Sequence, residues 1–479
     1  MEALDKRDLD NTAPFSSAGL IIRQKEPKNL EAPFDRIDSY LTPTELFYIR
    51  SHFPTPDLDR AAYRLRIDGA VRSPFTLRYE ELRSMPCETR VATLECAGNS
   101  RVFLVPQVQG AQWELGAVSN AQWTGVPLSA LLQRAGLAED ACEIVLEGAD
   151  RGMPKEEPLP PGPISYVWSL PRAKAMRPEV LIAYQMNGRD LPRDHGFPVR
   201  AVVPGHYGMA SVKWLTGIQA VREPFHGYWQ TSDYAYWASM DGKPVRRPLG
   251  EMQIKSEIAR PRVYETLVPN RIYTISGAAW TGESDVTAIA VSVDGGRTWA
   301  EAEFLDPTQR HAWRRWKFDW LTPKEPGQYT LMARAKDAAG AIQADKHDQN
   351  YGTYVINHPL PIEVFVDDSE ARNRDARDTF TRTPQDGGAP VSHRVLTNGW
   401  AHHVVSRDFR CFRNTRRSKL HLHLSRQTVL RRLQRSESCR LVRGTPRFVP
   451  LVFSKRAGDY WKLAASFMAR SGTKFRCHI

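Results

Sequence analysis

The sequence predicts an α+β domain followed by an immunoglobulin-like β-sandwich and then a basic tail of different character. Three observations predict it. Between residues 41 and 248, short apolar runs ending in turn residues surround one well-marked amphipathic helix. Between residues 249 and 366, at least five alternating strands are separated by Asp/Gly turns. From residue 367 the patterning stops and positive charge accumulates.

Residues 1–40 are Pro-rich and charged and read as an extended arm. "AYRLRID" alternates and stops at Gly69, a strand pattern. "TGVPLSALLQRAG" is a helix: Pro127 suits the first turn, Leu128, Leu131 and Leu132 form the apolar stripe, and Gly136 suits the C-terminal cap. "CEIVLEG", "VLIAYQMNG" and "FPVRAVVPG" are short buried strands. In the second domain "RIYTISGAAW", "VTAIAVSVDGGRTW", "RRWKFDW" and "GQYTLMARAKDAAG" alternate, and the Asp-Gly-Gly of "SVDGGRTW" suits a turn with positive φ. That spacing is a β-sandwich of the immunoglobulin type, with Trp280, Trp313, Trp316 and Trp320 in its core or rim.

The net charge of +12 is unevenly placed. From Glu370 onward there are 24 Lys+Arg against 7 Asp+Glu, a balance of +17, which leaves the first 369 residues at −5. The tail reads as a basic, disordered extension. A tail docking on nucleic acid or a membrane is the competing reading, and neither partner is expected. The "HLHL" of the tail has no companion ligands for a metal. No stretch approaches the ~18 apolar residues of a membrane span. The polar N-terminus has no apolar run of a secretory signal, so a cytoplasmic location is expected. Six cysteines without CxxC spacing exclude a zinc ribbon and a thioredoxin motif.

Cys96 stands in "ECAGNSR", at the end of the β-type run "RVATL". A buried structural cysteine, a nucleophile and a metal thiolate all remain open on these residues alone. Gly98 allows backbone to approach a ligand, and Arg101 supplies fixed charge for an anion or a thiolate. Taken singly, His195 reads as a turn histidine, Asp150 as a turn cap, Lys213 as an outward strand residue and Tyr234 as a core aromatic.

Five segments change this when read in order: "FYIRSHFPTP" (47–56), "LECAGNSR" (94–101), "LEGAD" (146–150), "RDHGFPVRAVVPGHYGMASVKW" (193–214) and "YWQTSDY" (228–234). Together they closely resemble the molybdenum domain of the sulfite oxidase family of molybdopterin enzymes. The segment with "VSVDGGRTW" resembles that family's dimerisation domain, so the resemblance spans about residues 40–366.

The resemblance implies a molybdenum–molybdopterin cofactor with Cys96 as the single protein ligand to the metal. It implies that Tyr48, Ile49, Arg50, Ser51 and His52 wrap the cofactor. Asp150, His195, Arg200, Ser211, Val212 and Lys213 would contact the pterin and its phosphate. Arg50, Arg101 and Tyr234 would serve the substrate oxyanion, and Trp113 matches a pocket-wall tryptophan. The implied activity is oxidation of sulfite, or a similar small oxyanion, by oxygen-atom transfer, with electrons leaving to an external acceptor such as a cytochrome c or oxygen. No haem domain of the cytochrome b5 type is visible, since "HPLP" at 358 is not "HPGG". A homodimer through the sandwich is expected, from the resemblance and from tryptophans that look exposed.

Ser100 stands where relatives often have the first of two arginines, and Gln109 where they have a lysine. Arg310 resembles a further pocket arginine, one position out of register. A less basic pocket is expected, which leaves two competing readings. One is a related reductase acting on nitrate or a sulfoxide. The other is a non-catalytic binding protein with a nucleic-acid-docking tail.

Overall fold

The computed structural model describes residues 14–155 and 157–368, together with three strands near the C-terminus. The first domain holds two five-stranded sheets. One runs Arg189–Asp190, Leu181–Met186, Val118–Pro127 and Glu88–Glu95, with Arg200–Val202 also pairing with Leu181–Met186. The other runs Phe75–Arg78, Arg64–Gly69, Leu215–Val221, Glu143–Gly152 and Ile164–Pro171. In the second sheet, Arg64–Gly69 and Leu215–Val221 pair in parallel.

Local pattern explains these elements. Along Arg64–Gly69, Leu65 and Ile67 point into the core while Arg64 and Arg66 are exposed, the period of 2 that a half-buried strand requires. The helix Leu128–Ala135 buries Leu128, Leu131, Leu132 and Ala135, and Gly136 ends it at φ 69. Each such leucine contributes about 1.5–3 kcal/mol of burial.

The second domain is the expected sandwich. One sheet is Lys255–Arg260, Ile272–Trp280, Arg314–Leu321 and Glu303–Phe304. The other is Thr266–Leu267, Ile362–Val366, Gly327–Asp337, Val286–Ser292 and Ala300–Glu301. Ile275, Ile289, Val291, Trp316, Leu331 and Val364 fill the space between them.

Two expectations need correction. The extended arm is not free: Ile21–Gln24, Asn29–Glu31 and Ile49–Arg50 form a three-stranded sheet, and Asn29, Glu31 and Phe34 are buried. The tryptophans are not exposed either. Trp280 and Trp313 are buried where the domains meet, Trp280 edge-on to Phe34, and Trp313 donating its indole N–H to the Tyr40 carbonyl at 2.9 Å. Trp316 and Trp320 lie in the sandwich core.

No helix among the described residues is long and apolar enough to cross a membrane. In the tail, Val452–Lys455, Trp461–Met468 and Lys474–His478 form an antiparallel sheet in a unit of their own. The other expectations for residues 369–479 lie outside the described residues.

Candidate active site

The strand Glu88–Glu95 ends at Cys96, which is buried and lines two adjoining cavities. The turn is closed by backbone bonds: Cys96 N donates to Ala117 O at 2.9 Å, and Asn99 N donates to Cys96 O at 2.8 Å. Arg101 follows, buried, with Nε on Thr353 O (3.1 Å) and Nη1 on Ala111 O (3.0 Å), its guanidinium 5.1 Å from the Tyr354 ring centre. Gly98 serves this arginine. A Cβ at Gly98 would lie 2.2 Å from Arg101 Nη2, and one at Gly110 would lie 2.5 Å from Nη1. The glycine and the guanidinium in "ECAGNSR" are therefore one device that seats a cation beside the thiol.

The first cavity is lined by Tyr48, Ile49, Arg50, Ser51, His52, Cys96, Asp150, His195, Arg200, Ser211 and Lys213. The second is an open funnel that shares Arg50, His52, Cys96 and Tyr234 with the first and adds Arg101. Besides Trp113 and Arg310, the structure leaves only Val212 of the expected site residues outside both cavities. That side chain lies in the core, and its carbonyl accepts from Ala201 N at 2.8 Å.

The cations of the first cavity give their hydrogen bonds to neutral oxygens, although Asp150 and Asp194 share the lining with them. Arg200 gives its bonds to the carbonyls of Ala201 (3.2 Å), His195 (3.0 Å) and Ser211 (3.0 Å). Lys213 gives its bonds to Ser51 Oγ and Asp194 O, both at 2.9 Å. Among the described residues neither forms an ion pair. Burial pushes Arg200 down to about 10. Burial, aided by the Arg200 charge, pushes Lys213 down to about 7. Asp150 is pushed up to about 6 by burial, against the pull of Lys213. A cavity with two desolvated cations and no facing ion pair suits a ligand carrying a phosphate. Gly196, at φ +106, allows the approach: a Cβ there would lie 2.9 Å from Arg200 Cβ and 3.2 Å from Lys213 Cβ. A buried thiol at the rim adds a soft donor. This donor set fits molybdenum–molybdopterin, the thiol for the metal and the cations for the phosphate.

His195 packs edge-on to Phe47 and is pushed down to about 3 by burial and by the charges of Lys213 and Arg200. The folded state then binds fewer protons than the unfolded chain, so stability is lost as pH falls from about 6.5 towards about 3. By pH 5 this costs about 2 kcal/mol, at ~1.4 kcal/mol per pH unit. His195→Gln is expected to remove that slope. Urea unfolding of both proteins between pH 5 and 7.5 checks it, and parallel curves would refute it.

In the funnel, Tyr234 Oη lies 2.6 Å from His52 Nε2. Burial, with Arg50 and Lys213, pushes His52 well below its ordinary value, so its ring is neutral. Burial pushes the Tyr234 phenol up, so it keeps its proton, and the His52 tautomer sets which of the two donates in their bond. His52 is stacked on Tyr166 at 4.4 Å and tilted against Trp229 at 4.5 Å. Arg50 Nη1 donates to Ser51 O (2.5 Å) and Asn29 Oδ1 (3.3 Å).

Other expectations change. Ser100 is fully buried and faces Lys255 and Glu257, not the funnel. Its identity therefore says nothing about pocket charge, whereas Gln109 does line the funnel. Trp113 is buried in the core and lines neither cavity. Arg310 lines neither and bonds to the Glu283 carbonyl. Sequence reasoning missed Asn29, Tyr166, Asp194, Thr353 and Tyr354 as lining residues. Only Asp194, inside "RDHGFPVR", had a signal.

Comparison with known proteins agrees with this geometry. Residues 52–229 match the family described as "Oxidoreductase molybdopterin binding domain", and residues 246–358 match "Mo-co oxidoreductase dimerisation domain". The chain is 35% identical to the sulfite oxidase of Gallus gallus over 361 residues, covering 72% of this chain and 77% of that one. It is 37% identical over 361 residues to the mitochondrial sulfite oxidase of Rattus norvegicus, covering 71% of this chain but only 64% of that protein's length. Among solved structures, the sulfane dehydrogenase SoxCD from Paracoccus pantotrophus superposes with a TM-score of 0.61 at 26% identity, covering 74% of this chain and 86% of that one. With a buried thiol and unpaired cations meeting in one cavity, and with these matches across both domains, the chain belongs to the sulfite oxidase family of molybdopterin-dependent oxidoreductases.

Proposed function

We propose that the chain oxidises sulfite, or a closely similar small sulfur oxyanion, by oxygen-atom transfer and hands the electrons to an external acceptor. The observation that carries this reading is the convergence of Arg50, Arg101, Tyr234 and Cys96 on one funnel. Cys96 and the cavity of Arg200, Lys213, His195 and Asp150 would hold the cofactor, which would supply the redox chemistry. Among the described residues, Arg50 and Arg101 form no ion pair, and both guanidiniums are held in place by hydrogen bonds, largely to carbonyl groups. Fixed cations of this kind bind an oxyanion and stabilise negative charge without reorganising. Tyr234 holds a proton at Oη beside the neutral His52 ring and can donate it at the reacting centre. The rings of His52, Tyr166 and Trp229 wall this end of the funnel and limit water around that proton.

Away from Arg50 and Arg101 the lining of the funnel is mixed, with Lys155, Glu157 and Asp233 among its residues. Arg23 on its wall is neutralised by Glu31 and Glu114, and Gln24, Gln107, Gln109 and Gln112 offer neutral amides. That amide wall, with Gln109 in place of a lysine, favours the second reading, a related reductase for nitrate or a sulfoxide. The test is sulfite-dependent reduction of cytochrome c and of ferricyanide, run beside nitrate- and sulfoxide-dependent oxidation of a reduced dye. Turnover only in the dye assay would replace the first reading with the second.

The same reading includes a homodimer through residues 249–366, supported by the match to a dimerisation domain. Removing residues 372–479 is expected to leave cofactor content, dimer and turnover intact. Ile362–Val366 already pairs with Gly327–Leu331 and Thr266–Leu267 in the five-stranded sheet, and among the described residues none beyond Tyr354 lines either cavity. Sedimentation, molybdenum content and steady-state rate of the truncated chain check this. A monomer, or a large fall in any of the three, would refute it.

A further inference from the structure

Where the two domains meet, Glu95, Lys255 and Glu257 form an ion triad sealed from solvent, with side chains 3%, 2% and 1% exposed. Lys255 Nζ lies 3.1 Å from Glu95 Oε1, 2.9 Å from Glu257 Oε1 and 3.0 Å from Ser100 Oγ. Glu95 Oε2 accepts the indole N–H of Trp280 at 2.8 Å. Ser100 Oγ donates to Glu257 Oε1. Asn99 Nδ2 reaches Glu95 Oε1 at 3.3 Å and Glu257 Oε1 at 3.4 Å, while its Oδ1 accepts from Ala117 N at 3.0 Å.

The first-domain members of this network are Glu95, which precedes Cys96, and Asn99 and Ser100, which follow it. The second-domain members are Lys255, Glu257 and Trp280. Cys96 itself makes two backbone bonds, both within the first domain, and packs in an apolar cluster with Leu94 and Trp123. Ser100 sits at φ 70, a left-handed conformation that its surroundings must maintain. A buried ion cluster is weak evidence for net stability, because desolvation offsets most of the attraction. What the triad supplies is position. Three charges that must stay mutually paired admit one arrangement of the turn.

We propose that Lys255 is a positioning residue for Cys96: the sandwich domain, apart from any role in dimerisation, clamps the turn that presents the thiol to the cofactor. This rests on the reading of Cys96 as the metal's thiolate. Supporting residues of this kind fix ligand orientation and govern metal retention.

The test uses the full-length holoprotein. Lys255→Met removes the clamp. Lys255→Met/Glu257→Gln removes it while keeping the site's net charge at −1; Glu95 loses its cation but keeps the Trp280 and Asn99 hydrogen bonds. Peptide-resolved alkylation follows Cys96 in the same sample as exposed Cys87 and half-buried Cys142, which report reagent reactivity and general loosening. Molybdenum and pterin are measured separately. The expected result is alkylation of Cys96 at least tenfold faster relative to Cys87, Cys142 unchanged, and the molybdenum-to-pterin ratio at least halved. Arg315→Met, which breaks a different cross-domain contact, to the Asp38 carbonyl, together with the Arg315–Asp306 ion pair inside the sandwich, should change none of these.

The clamp is overturned by a folded variant with wild-type Cys96 protection and metal ratio. It is equally overturned if Cys142 or the Arg315 variant responds in parallel. Failure of both Lys255 variants to fold would overturn it too, by making the triad a requirement of folding. A wild type without molybdenum would instead refute the reading of Cys96, and the alkylation comparison would still decide whether Lys255 orders the turn.

Discussion

Cys96→Ser is expected to fold, to keep pterin and to lose turnover by ~10³-fold or more, on the scale of removing a group that acts only with its metal. Folding survives because the turn is built from backbone bonds, Cys96 N to Ala117 O and Asn99 N to Cys96 O, which serine leaves in place. Serine is also the smaller side chain, so no overpacking arises in the apolar cluster around Phe47, Leu94 and Trp123. Pterin survives because its binding surface is elsewhere in the cavity, on Arg200, Lys213, His195 and Asp150. Turnover fails because the hydroxyl is a harder and far less acidic donor than the thiol. Pterin content, molybdenum content and rate measured on one preparation check this. Unchanged turnover in a molybdenum-loaded Cys96→Ser protein would remove the assignment of Cys96.

How far this site could be read from sequence depends on the distance over which each residue acts. Cys96, Gly98 and Arg101 work within one turn, and their spacing shows it. His195, Gly196, Arg200 and Lys213 lie within a single block, and there too the spacing carries the geometry. Asn29 and Tyr354 reach the funnel from opposite ends of the body, and no local pattern marks them. Tyr166 sits in the strand "ISYVWSL", where an aromatic residue looks like ordinary core.

Facing was the harder property. Alternation in "RIYTISGAAW" gives a strand but cannot say that Trp280 turns towards Glu95 of the other domain. Ser100 adjoins Arg101 in sequence, yet the left-handed backbone at Ser100 sends the two side chains to different places, one to the domain junction and one to the funnel. The arm hides its burial from the sequence for a related reason. Its composition is polar, but Asn29 and Glu31 are buried because they bond to Ser51 and Gly116.

Arg50→Gln is expected to lower kcat/KM for an oxyanion by about 10²–10³, the ~3–4 kcal/mol typical of losing one preorganised donor to developing charge. Arg50 is a cleaner probe than Arg101. The Arg101 guanidinium also ties Thr353 to Ala111 across the domains, so its removal loosens the funnel as well as discharging it. Arg50 hangs from the short strand Ile49–Arg50, whose backbone pairs with Leu30 and Asn29 whatever the side chain. Ser51 N keeps its bonds to Lys28 O and Asn29 Oδ1 in the variant. The cofactor cavity should therefore hold, and molybdenum content should not change. Glutamine is neutral and shorter, so it loses both the charge and the reach. If Arg50 binds substrate and transition state alike, KM rises alone; if it acts mainly as charge develops, kcat falls with kcat/KM. Arg50→Lys separates charge from shape: a point charge should recover part of the loss but not the forked geometry. A kcat/KM within threefold of wild type in Arg50→Gln, at equal molybdenum content, would mean that the oxyanion is held elsewhere and that Arg50 only braces Asn29.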